Sequence, residues 1–116
     1  MRITEEGLRR SITEALGDPD SLRILHSLRT TPKNAQDISR ESGIPLSSAY
    51  RKLAVLKDAG LVFVKSIEIT DEGKRQDLFL SAVAEVRVTL SGEDVEFELV
   101  PTREGAERIW FRLFGA

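Results

Sequence analysis

Five side chains suited to phosphate or base edges crowd one short stretch of this 116-residue chain: Ser47, Ser48, Tyr50, Arg51 and Lys52. Small hydroxyls permit close approach to a polyanion. Arg51 carries a planar fork that matches guanine or phosphate, and Lys52 a compact point charge suited to phosphate. Tyr50 offers a ring to stack and a hydroxyl to bond; packing half-buried against a neighbouring hairpin is an equal reading. Two further long cations, Lys74 and Arg75, follow Gly73 at an expected turn, within reach of a minor groove or adjacent phosphates. Asp71 and Glu72 share that turn and partly cancel them, so a solvated hairpin tip is the plain alternative.

These groups need elements that hold them outward. Leu46, Ala49, Leu53, Leu56 and Ala59 recur at helical spacing between Pro45 and Gly60, which predicts a helix with the polar set interleaved. A short helix precedes it, with Asn34 as N-cap, Asp37 in the first turn and Gly43 supplying the left-handed stop near Ser42. The tight Gly43-Ile44-Pro45 turn sets the two helices at a large angle. Upstream, Leu8, Ile12, Ala15 and Leu16 form one helical stripe ended by Gly17. Asp18-Pro19 then opens another helix, with Asp18 as cap and Pro19 at the first helical position; Leu22, Leu25 and Leu28 are expected on its buried face, with Ile24 beside them.

After Gly60 the pattern changes to strands. Leu61 to Ile69 is rich in β-branched residues, Asp71-Glu72-Gly73 marks a turn, and Leu78 to Ser81 returns as partner. Val83 to Leu90 alternates, with Val86, Val88 and Leu90 on one face, and Val95, Phe97 and Leu99 alternate after a Ser91-Gly92-Glu93-Asp94 turn, predicting a second hairpin. This hairpin either extends the first sheet, covers a dimer interface or docks a basic partner; its carboxylates read as solubilising edge charges. Thr102 caps a last helix whose stripe holds Ala106, Ile109, Trp110, Leu113 and Phe114. Such a stripe suits core, ligand pocket or interface. The interface reading is carried forward because the first helix offers a matching stripe, so Leu8, Ile12, Ile109, Trp110, Leu113 and Phe114 are expected to pair two copies across a two-fold axis.

Composition narrows the function. The chain is 41% hydrophobic and 31% charged, with no Cys and one His, which indicates a small globular domain without disulfides or thiolate chemistry. No apolar run is long enough for a membrane span and the N-terminus lacks a signal-peptide core, so a cytosolic location is expected. The absence of a His–carboxylate spacing, a phosphate-cradling glycine loop or a ligand cluster argues against an enzyme, a cofactor or a metal site. The lone His26 lies in an apolar helix and reads as packed. Net charge is −2, but unevenly placed: residues 33–75 hold 8 Lys+Arg against 6 Asp+Glu (+2), and residues 76–100 hold 1 against 6 (−5). Counterion release depends on where cations sit, so the local excess matters more than the total.

The element order, helices and then a hairpin, is that of a winged helix-turn-helix, an α+β fold, here with an additional β-hairpin and a C-terminal amphipathic helix. Leu16-Gly-Asp-Pro-Asp-Ser-Leu-Arg-Ile-Leu resembles the segment that opens this domain in the ArsR family of prokaryotic regulators. Gly43-Ile-Pro-Leu-Ser-Ser-Ala-Tyr-Arg-Lys-Leu-Ala-Val-Leu-Lys-Asp-Ala-Gly-Leu-Val resembles that family's recognition-helix pattern, and its Gly-Ile-Pro and Tyr-Arg-Lys-Leu wording is also similar to TrmB-type archaeal regulators. The resemblance spans residues 14–80. It implies that Leu46, Ser47, Ser48, Tyr50, Arg51 and Lys52 face DNA. Two positions depart from the pattern: Leu46 where many relatives are polar, and Lys52 where many have His. A DNA-binding domain is accordingly expected at 1–82, with 83–116 as its dimerisation extension. The expected function is a homodimeric, metal-independent regulator of double-stranded DNA, a repressor by preference. A winged helix that contacts only proteins is the alternative.

Overall fold

A computed structural model describes the backbone of residues 1–114 and the side chains of residues 1–108. Helix α1 (Glu6–Leu16) starts where the Glu5 carboxylate accepts hydrogen bonds from the Gly7 and Leu8 amides at 2.8 and 2.7 Å, covering donors that a helix start leaves unpaired. Helix α2 (Pro19–Ser27) comes next, with Asp18 as its cap. Its buried stripe is Ser21, Ile24, Leu25 and Leu28, while Leu22 stays 42% exposed. The expected Leu22–Leu25–Leu28 face is therefore corrected. A spacing of three and three drifts off a 3.6-residue period, whereas three, four and seven keeps to it. Ser21 tolerates burial because its hydroxyl donates to Asp18 at 2.9 Å.

Beyond them lie helices α3 (Ala35–Ser42) and α4 (Leu46–Asp58), then strands β2 (Val62–Ile69) and β3 (Arg75–Ser81), antiparallel with a bulge between Val64 and Ser66. Lys33 joins this hairpin as a one-residue third strand: its amide donates to the Phe79 carbonyl at 3.0 Å and its carbonyl accepts from the Phe79 amide at 2.8 Å. The hairpin is thereby stitched to the entrance of α3.

The second hairpin, β4 (Val83–Ser91) and β5 (Asp94–Pro101), does not extend that sheet. It builds its own, in the order β1–β5–β4, with β1 (Arg2–Ile3) pairing Arg2 to Glu98 and Ile3 to Phe97. The pattern predicts no strand at the N-terminus, since two residues carry no periodicity. One hydrophobic cluster unites both segments of the chain, with Ile12, Leu53 and Leu56 beside Phe97 and Leu99. Leu8 and Ile12 belong to it, Ile12 with no exposure at all. That corrects their expected place at a dimer interface: the stripe of α1 packs within its own chain. Ile109, Trp110, Leu113 and Phe114 lie outside the described side chains.

The two sheets meet at a tight corner. The Ala82 amide donates to the Leu61 carbonyl at 2.8 Å and the Ala82 carbonyl accepts from the Thr102 amide at 3.0 Å. Thr102 caps helix α5 (Arg103–Phe114), its hydroxyl accepting from the Gly105 amide at 2.9 Å. Gly105 then lies directly on the Ala82 backbone. A β-carbon there would stand 1.9 Å from the Ala82 carbonyl oxygen, so only glycine lets α5 seat. Gly105→Ala is expected to lower stability by about 1–3 kcal/mol or more, the range for overpacking against a site that cannot give. Thermal unfolding measures it, and an unchanged midpoint would contradict this packing.

Candidate nucleic-acid interface

Helix α3 ends because Gly43 adopts φ 76°, a left-handed conformation that costs glycine little. Ile44 then buries in the core, and the Ser39 hydroxyl donates to the Ile44 carbonyl at 2.6 Å, fixing the turn from the α3 side. Pro45 opens α4 without any side-chain cap. The first amides of α4 are therefore left without a partner from Pro45, at the positive end of the helix dipole.

Helix α4 buries Ala49, Leu53 and Leu56 and touches α1, α2, α3 and β2. One face is thus committed to the core. On the opposite side Leu46, Ser47, Tyr50, Arg51 and Ala54 are exposed, Tyr50 by 54%. Leu46 is 38% exposed. Ser48 is half-buried on the flank.

Lys52, one turn beyond Ser48, is only 16% exposed. Its ammonium donates to the carboxylate of Asp18, the cap of α2. Asp18 also accepts from the Ser21 hydroxyl and the Asp20 amide. The Lys52 ammonium, above all, holds the Asp18 carboxyl below its usual range; burial opposes this, and the Ser21 and Asp20 bonds reinforce it. So the cation expected on phosphate is engaged inside the protein, tying α4 to the start of α2. The sequence signal was Asp18 itself, which reads as a helix cap and conceals its second partner.

The hairpin β2–β3 lies beside α4. At its tip, Gly73 takes φ 81° and the Thr70 hydroxyl accepts from the Lys74 amide at 3.0 Å. Lys74 extends into solvent, its nearest carboxylate Glu72 at 3.9 Å. Arg75 pairs with Asp77 at 3.0 Å. Of the four cations in the candidate set, Arg51 alone has no carboxylate partner among the described residues. Between α4 and the hairpin is an open cavity of about 220 Å³, lined by Asn34, Gln36, Tyr50, Arg75, Gln76 and Phe79. A chain of amides crosses it: Asn34 donates to Gln76 at 2.9 Å, and Gln76 donates to Gln36 at 3.3 Å. Sequence reasoning missed this bridge, because Gln76 lies 42 positions from Asn34 and 40 from Gln36. Tyr50 lines the cavity on its hairpin side while remaining exposed.

A helix, a tight turn, a second helix with one face outward and a hairpin docked beside it constitute a known arrangement. The fold is a winged helix-turn-helix. Residues 16–64 match the family model described as a helix-turn-helix domain. No curated protein matches the chain. Among solved structures, HlyU from Vibrio cholerae is 17% identical, with 97% of this chain and 100% of that one covered and a TM-score of 0.45. Its reduced form is also 17% identical, covering 95% and 92% with a TM-score of 0.44.

The Asp18–Lys52 tie has a testable pH signature. Because the folded-state pKa of Asp18 is depressed, its contribution to stability is present above the unfolded pKa and disappears as pH falls through the folded value. Asp18→Asn keeps a competent cap and removes the charge. The gap in melting temperature between wild type and this variant is expected to be full near neutrality and to close from about pH 5 downward. A gap independent of pH would contradict the pairing.

Proposed function

We propose that this chain is a sequence-specific DNA-binding transcriptional regulator of the ArsR-like type, acting as a homodimer and repressing by occupying promoter DNA. One observation carries the reading: α4 projects Ser47, Tyr50 and Arg51, which has no carboxylate partner among the described residues, on a single face beside its own uncapped N-terminus. In this arrangement α4 enters the major groove N-terminal end first, Arg51 supplies the fork for guanine or phosphate, and Ser47 and Ser48 approach the backbone. Lys74 at the tip of the wing adds a phosphate or minor-groove contact, and Arg75 joins it by exchanging Asp77 for phosphate. Lys52 acts differently from the rest. It holds the recognition helix at its angle and is not a direct contact.

A single domain of this charge has limited affinity for a polyanion. Two copies on half-sites about one DNA turn apart supply the remainder. Regulation proceeds without metal: the sequence offers no Cys and one His, short of the ligand sets such sensors need.

Fluorescence anisotropy on a selected duplex tests the assignment. Arg51→Ala is expected to weaken binding about 5- to 150-fold, corresponding to about 1–3 kcal/mol. Lys74→Ala is expected to weaken all sequences alike and to lower the salt slope by about one. Lys52→Met is expected to lower the melting temperature while costing far less affinity than Arg51→Ala at temperatures where it is folded. Equal losses for Arg51 and Lys52 would contradict the division of roles. Failure of the wild type to bind any duplex, with a stable protein partner captured instead, would favour the protein-contact reading.

A further inference from the structure

The sheet β1–β5–β4 has two edges of very different kind. One is β1, two residues long; the other is β4, nine residues long and without a strand on its outer side among the described residues. A long free edge exposes a row of backbone donors and acceptors that templates another strand. The apolar face of β4 is also incompletely covered. Val86, Val88 and Leu90 lie on the face shared with the buried Leu99 and Phe97. Yet Val88 is 48% exposed and Leu90 82%, the highest value among the described large apolar residues.

We propose that β4 is the surface through which two copies of this chain associate, pairing antiparallel about a two-fold axis at Val86. This inference rests on the dimeric part of the function proposed above. Symmetry restricts the register. Opposed residues must share a face, so the axis passes through a residue and opposes it to its own copy. An axis at Arg87 sets arginine against arginine. An axis at Val88 leaves Glu85 opposite Ser91 and Arg87 opposite Thr89. Only an axis at Val86 sets each Glu85 opposite the Arg87 of the other copy, twice over, and like charges directly opposed are unfavourable in a sheet. Arg87 already pairs with Glu85 at 3.0 Å and Glu98 at 3.5 Å within its own chain, so the joined strands carry an alternating ladder of charge.

The same register accounts for Leu90. It carries the second copy's Leu90 past Val83, to an open groove of about 240 Å³ between α2 and β4, where Leu16, Leu22, Leu25 and Val86 are flanked by His26, Arg29 and Glu85. Leu22 is the α2 residue left outside the core. The most exposed large apolar side chain among the described residues of each copy thus meets the leucines of the other's groove, and the contact closes on itself without building a filament.

Light scattering and sedimentation of Glu85→Arg, Arg87→Glu and their equimolar mixture test this, with thermal unfolding to confirm folding. Wild type is expected to dimerise. Each single variant is expected to weaken association at least tenfold, because Arg then opposes Arg, or Glu opposes Glu. The mixture is expected to restore it, because the two variants complement each other. Leu90→Asp, at a position too exposed to harm the core, provides a second route to the same loss. Folded single variants that remain dimeric would overturn the proposal. So would a mixture that stays monomeric, or loss of the dimer in Trp110→Ala alone. A wild type monomeric at all concentrations would overturn both this surface and the dimeric reading, while DNA binding by the monomer would leave the DNA reading standing.

Discussion

The structure depends on how helix α4 divides its circumference. Ala49, Leu53 and Leu56 reach the centre of the hydrophobic cluster, and α1, α2, α3 and β2 all close on them. Burial of such side chains contributes about 1.5–3 kcal/mol each for the larger ones, so this face cannot turn outward without undoing the core. The opposite face must then meet solvent, and it is the one that carries Ser47, Tyr50 and Arg51. The Asp18–Lys52 pair fixes the remaining freedom, holding the flank of α4 against the start of α2. A charge that looks like a DNA contact is thus used to set the angle of the helix that carries the proposed contacts.

Much of this was legible in the sequence because it is local. Asn34 and Asp18 cap the helices expected of them, Gly43 takes the left-handed turn, and Thr102 starts α5. These features declare themselves within four residues. What could not be read is what spans the chain: β1 pairing with β5, the Asn34–Gln76–Gln36 bridge and the partnership of Lys52 with Asp18. The first helix shows the limit of pattern reading most clearly. Leu8 and Ile12 form the expected stripe, but a stripe states only that a face will be buried, not whether its own chain or a second one buries it. Here α2 and α4 of the same chain close on it. Leu22 shows the reverse case, an apolar residue on the helix counted as core and found at the surface.

Charge obeys the same division of labour. The acidic hairpin β4–β5 stands apart from the wing as its own sheet, so its carboxylates do not share a surface strand with Lys74 and Arg75. Its ion pairs run within the sheet, Arg2 to Glu96 and Arg87 to Glu98, and to α1, where Arg9 pairs with Asp94. Screening over about 10 Å at ordinary salt limits what those carboxylates subtract at α4. A net charge of −2 is therefore compatible with the proposed binding face, on which Arg51 has no carboxylate partner among the described residues.

The most direct test of the central claim is selection of bound duplexes from a randomised DNA pool, run in parallel with wild type and Arg51→Ala. Wild type is expected to enrich an inverted repeat with half-sites about one helical turn apart, and the variant to lose preference at one position in each half-site. Absence of enrichment, or the same motif from both proteins, would contradict the claim that the outward face of α4 reads DNA.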